Sequence, residues 1–271
     1  MMRNCLLFIG IILFAIVLSS GCTSQNYGTT TPVPTALVSP SSTMAPAGSP
    51  PETLLKDMAV LDQAYIPVLA LTTQNDPVRS RKAMDTLLTE WSAFKGTYYT
   101  AMPQDPRWKP DLDTVNMTIY SANAKITEGN LSAAHTELEQ FRLTMLDLRT
   151  RNKIDFFIDK MTQFHDPMEA IVLAAQDKAP DKVDVATIRQ VYPDAVSKWD
   201  AVKTATIDAT LFGFTPDQEQ KTRILIANQT LALEKLGTAL NSGNTTAIGT
   251  AAVAIKGPFS TLFSSFGKFP A

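Results

Sequence analysis

The residues of this chain best suited to chemistry lie in one short stretch, Met161-Thr162-Gln163-Phe164-His165-Asp166-Pro167-Met168-Glu169. On a helix, Met161, His165 and Met168 follow one another at i, i+4 and i+7 and share a face. Thioethers with an imidazole suit copper(I) or haem iron. A proline at 167 inside that helix has no N–H for the Gln163 carbonyl and crowds it. The helix bends there and an acceptor is freed. A plainer account competes with the metal site. Met161 and Met168 fall in the same stripe as Phe157, Phe164 and Ile171, where methionine ordinarily fills a core. Asp166-Pro167 also reads as a helix stop and restart. His135 is the other histidine of the chain. It completes a site with His165 only if the fold brings the two together.

Elsewhere the patterns that enzymes need are missing. The sequence has no HExxH, no Glu-x-x-His of a di-iron site and no glycine-rich phosphate loop. Its two cysteines are Cys5 and Cys22. Beyond them there is no thiol for a disulfide, a zinc-thiolate site or a nucleophile. The expectation is a protein that is not an enzyme and needs no cofactor, with copper or haem as the alternative. Trp91, Phe94, Tyr98, Tyr99 and Trp108 gather around a Pro-rich loop. They read either as a binding patch or as the closed end of a helical core. Asn116, Asn130, Asn228 and Asn244 each begin an N-x-Ser/Thr sequon.

Cys22 has a distinctive setting. Arg3 precedes an apolar run from Leu6 to Leu18, and Ser19-Ser20-Gly21 lead into the cysteine. A basic start, a short apolar segment and small residues are the three parts of a secretory leader. The run is shorter than the roughly twenty residues a bilayer span wants. Residues 1–22 resemble the signal of a bacterial or archaeal membrane lipoprotein. The resemblance implies removal of a signal peptide, 1–21, and a diacylglyceryl group on the Cys22 thiol. It places the protein at the cell membrane, lipid-anchored on the extracytoplasmic face. An uncleaved signal anchor is the alternative, and it gives the same side of the membrane. Removing the leader takes away Arg3 and no acid, so 23 basic side chains remain against 26 acidic ones. So weak a charge argues against nucleic acid as a partner.

Residues 22–51 combine the lipid site with a linker rich in Thr, Ser and Pro and free of charge. Such a composition cannot bury a core and predicts an extended tether. From residue 52 onward nearly every segment has a helical period. Leu112, Val115, Ile119, Ala122 and Ile126 form one stripe. Phe157, Met161, Phe164, Met168 and Ile171 form another. The stripes predict an all-α fold of eight helices near 52–74, 77–100, 111–128, 131–151, 153–177, 184–212, 216–242 and 245–266. Asp76-Pro77, Asp166-Pro167 and Thr215-Pro216 read as N-caps followed by proline. Gly129-Asn130 and Gly243-Asn244 read as a helix end followed by a cap.

The two halves resemble each other. Trp91 matches Trp199, Gly129-Asn130 matches Gly243-Asn244, and Tyr65-Ile66-Pro67-Val68 matches His165-Asp166-Pro167-Met168, in the same order. An internal duplication follows, with four-helix units at 52–151 and 152–271, each the size of an up-down bundle. The functional expectation is a non-enzymatic binding or structural role at the cell envelope, with an envelope protein as a possible partner. The alternatives are a copper- or haem-binding bundle using His165 and Met168, with Met161 or Tyr65 nearby, and an accessory or sensor subunit of a membrane complex.

Overall fold

The computed structural model describes residues 52–271. The signal peptide, Cys22 and the linker lie outside the described residues. Those described are mostly helical, with no strand among them. The helices are α1 (Glu52–Thr73), α2 (Pro77–Tyr98), α3 (Trp108–Thr127), α4 (Leu131–Arg151), α5 (Phe157–Leu173), α6 (Val185–Thr204), α7 (Ala209–Phe212), α8 (Pro216–Ser242), α9 (Thr245–Ala254) and α10 (Lys256–Ser264). One 3₁₀ turn, Pro180–Lys182, precedes α6.

Local chemistry explains most of the boundaries. Asp76 accepts the Arg79 N–H at 3.0 Å, and Pro77 opens α2 where no N–H is needed. Thr215 and Gln218 form a reciprocal capping box around Pro216. Asn130 and Asn244 cap α4 and α9 through the Ala133 and Ala247 amides. Gly129, at φ +79°, lets the Asn130 N–H reach back to the Lys125 carbonyl at 2.8 Å and so closes α3.

Three boundaries differ from the periodicity. Asp166-Pro167 is not a helix start, because both residues lie inside α5 and Pro167 is buried there. The segment 184–212 is two helices, because Ala205 turns extended and Asp208 caps a new turn. The last helix is also broken, at Ile255. Pro258 cannot donate to the Ala254 carbonyl, so α9 ends there and α10 restarts.

Helices α1 to α4 close a ring in which each packs on the next and α4 returns to α1. Helices α5, α6, α8 and the α9–α10 pair close a second ring in the same order. The rings meet where α1 touches α7 and α10 and where α4 touches α5. A single buried cluster runs from Leu54 to Phe266 through both. Trp91 on α2 and Trp199 on α6 are both buried. Each donates its indole N–H to a polar group on the third long helix of its ring, Asn116 at 3.0 Å and Thr230 at 2.9 Å.

Pro67 lies inside α1 and supplies a cross-ring bond. It leaves the Gln63 carbonyl without its helical donor, and that carbonyl accepts the Lys268 N–H at 2.9 Å. The Gln63 side chain donates to the Phe212 carbonyl at 2.7 Å. One residue of the first ring is thereby tied to two segments of the second half.

Candidate functional site

The seam between the rings opens into a cavity of about 670 Å³. Four helices wall it, and each presents a stripe of residues four apart. Leu69 and Thr73 come from α1, His135 and Glu139 from α4, His165 and Glu169 from α5, and Phe259 and Phe263 from α10. Leu143 and Leu173 extend the apolar wall, and Leu173 is largely exposed to solvent. Arg142 and Lys256 are its cations.

The fold thus brings His135 and His165 to one site although they sit in different halves. Arg142 organises the space between them. Its guanidinium is buried. It donates from Nε and Nη2 to Glu139, and from Nη2 to His165 Nδ1 at 3.0 Å. Burial and then the Arg142 charge hold the His165 imidazole below its usual pKa, so it is neutral at pH 7. Lys256 reaches Glu169 Oε1 at 3.2 Å. Glu169 Oε2 is closed off from solvent and has no partner.

Of the residues singled out for a metal, His165 lines this cavity and Met161 and Met168 do not. Both methionines are buried in the core, at 0% and 1% exposure. His165 Nδ1 accepts from a guanidinium, so the neutral ring carries its proton on Nε2 and offers the cavity a donor rather than a metal ligand. Among the described residues no three His, Cys, Asp or Glu side chains gather to hold a metal ion. Tyr65, at the matching place in the first half, is a core residue. It stacks on Phe141 with centroids 4.3 Å apart, and its hydroxyl donates to the Leu138 carbonyl.

The aromatic loop closes a core. Trp91, Phe94, Tyr98 and Trp108 are buried, and the Trp108 indole donates to the Tyr98 carbonyl at 2.7 Å. A shallower hollow of about 450 Å³ lies beside it, floored by Trp91, Tyr99 and Tyr120. Its charged groups are already paired: Lys95 lies 2.8 Å from Asp113, and the Tyr99 hydroxyl donates to the same carboxylate.

Sequence reasoning missed Glu139, Arg142, Glu169 and Lys256. The signal for three of them was present. Each histidine has a glutamate four residues on, and Arg142 lies seven after His135, on the same helix face. Nothing in the sequence showed that the two faces meet. Compared with known proteins, the chain matches no family model, and no curated protein or solved structure is significantly similar to it.

Proposed function

We propose that this is a non-enzymatic binding protein, held at the extracytoplasmic face of the membrane by lipid on Cys22, whose seam cavity takes a small amphipathic ligand. The cavity carries this reading. Its volume lies in the range of small-molecule sites, and it joins an apolar wall to a few converging polar groups. A neutral solvatochromic dye such as Nile red should bind saturably at one site per chain. Ala170→Trp, which fills the space beside Glu169, should abolish that binding with helical content unchanged. Absence of saturable uptake by the parent protein would sink the reading.

The anchor has its own test. Cys22→Ser should move the protein out of the membrane fraction or leave it unprocessed, since stable attachment needs more than one acyl chain. Full membrane retention with an intact leader by mass spectrometry argues for a signal anchor instead. We also read the two rings as copies of one ancestral unit. The matched tryptophans with matched indole donors, and the shared ring order, support that origin. Copper or haem has less support, because the two methionines do not reach the cavity. Elemental analysis and a search for a Soret band after haem addition decide it.

A further inference from the structure

We propose that the ligand of the seam cavity is an amphipathic amine, with its ammonium group held between Glu139 and Glu169 and its apolar body laid on Leu69, Leu143 and Phe259. This rests on the reading of the cavity as a ligand site and adds the charge and chemistry of the ligand.

The polar wall keeps a buried carboxylate oxygen without a donor. His135 Nδ1 lies 3.2 Å from the Leu69 carbonyl and 3.0 Å from Thr73 Oγ1. The Thr73 hydroxyl already donates to that same carbonyl. The ring is thereby anchored through Nδ1 at the last turn of α1. His135 Nε2 lies 3.7 Å from Glu139 Oε1. On the facing helix Glu169 gives Oε1 to Lys256 and leaves Oε2 buried and unpaired. An acceptor stranded in that way is costly until a donor arrives.

The buried cation is already committed. Arg142 is engaged by Glu139, by His165 and by the Thr162 carbonyl. Three carboxylates line the cavity, Glu139, Asp166 and Glu169, against two cations. His165 adds no charge while it is neutral. A carboxylate or phosphate guest would therefore meet surplus negative charge, with Arg142 committed and Lys256 shared with Glu169. An ammonium supplies three donors and so can meet the stranded Glu169 oxygen. It also finds an aromatic face in Phe259, whose ring centroid is 5.8 Å from that of His165.

A matched series separates charge from shape: phenylbutylamine, phenylbutanol and phenylbutyrate share one apolar body. Each is dialysed to equilibrium against the full chain in lipid nanodiscs at pH 7, with empty nanodiscs as the blank. The amine should bind at least tenfold more tightly than the carboxylate, with the alcohol between them. Glu169→Gln should narrow that gap severalfold while leaving the alcohol's affinity unchanged. Glu139→Gln should narrow it further by freeing Arg142 for the carboxylate. Hydrogen exchange should slow over 135–143 and 165–173 with the amine. Equal or tighter binding of phenylbutyrate overturns the amine and leaves the cavity as a site of opposite preference. Failure of all three compounds, together with no dye uptake, overturns the amine and the cavity reading at once.

Discussion

Arg149 puts one buried positive charge between two buried carboxylates, at the point where α1, α4 and α5 meet. It holds Asp159 through two nitrogens, the shortest contact 2.6 Å, and reaches Asp62 at 3.4 Å. Phe156 covers its guanidinium from 4.6 Å. Asp62 is the less well served acid. Burial lifts its pKa to about 6, against the partial pull of Arg149 and with a further push from Asp159. A carboxyl that holds its proton more tightly folded than unfolded favours the fold at low pH. Its contribution is complete below about pH 4, near the unfolded value, and is lost as pH rises through 6. Urea melts should therefore show the stability of the parent, relative to Asp62→Asn, falling by up to about 3 kcal/mol between pH 4 and pH 7. A difference that stays flat with pH would mean that Asp62 ionises without cost. The tryptophans test the rings at the same scale. Trp91→Ala and Trp199→Ala should each cost about 3–5 kcal/mol, as truncation of a fully buried aromatic does. A near-neutral value at either position would separate the two surroundings.

At the scale of elements, two helical glycines make opposite predictions from the same substitution. Gly96 in α2 is exposed, and a Cβ there would meet nothing within 4 Å. Gly96→Ala should raise stability by about 0.5–1 kcal/mol through helix propensity alone. Gly237 in α8 lies under the Tyr192 ring, and an added Cβ would collide with the hydroxyl. That hydroxyl donates to the Leu233 carbonyl at 3.1 Å. Gly237→Ala should lower the melting temperature while Gly96→Ala raises it. Elements were also where the sequence was most legible. The stripes on α3 and α5 are buried as the period predicts, from Leu112 to Ile126 and from Phe157 to Ile171. Caps were readable because they are local: Asp76, Asn130, Thr215 and Asn244 each accept the amide three residues on. Prolines were ambiguous because a helix tolerates one when tertiary packing outweighs the lost bond. Pro67, Pro167 and Pro193 all sit inside helices. Pro258 breaks one, and its sequence context does not announce the difference.

The cavity belongs to the whole molecule, which is why it could not be read in advance. Its walls come from α1 and α4 on one side and from α5 and α10 on the other, and no periodicity reports how two rings are docked. His165 was visible as an unusual residue, yet its partners proved to be Arg142 and Phe259 rather than Met161 and Met168. The shared core gives a further expectation. Because one buried cluster spans both rings, residues 52–271 should lose helical circular dichroism and tryptophan fluorescence in one coincident transition. Two separated transitions would show that each ring is stable alone. A reductant should change neither signal, since no cysteine occurs beyond Cys22.

The bond from Lys268 to Gln63 bears on how the chain is made. The chain emerges N-terminus first, so α1 to α4 appear before the residues that complete their surroundings, and N-terminal units generally begin to fold first. Until the second half emerges, the Gln63 carbonyl has no Lys268 to accept from and Arg149 has no Asp159. The early ring must keep both groups hydrated. It is thereby held short of its final dryness until Lys268 is in place, so that the seam closes only once the second ring has formed.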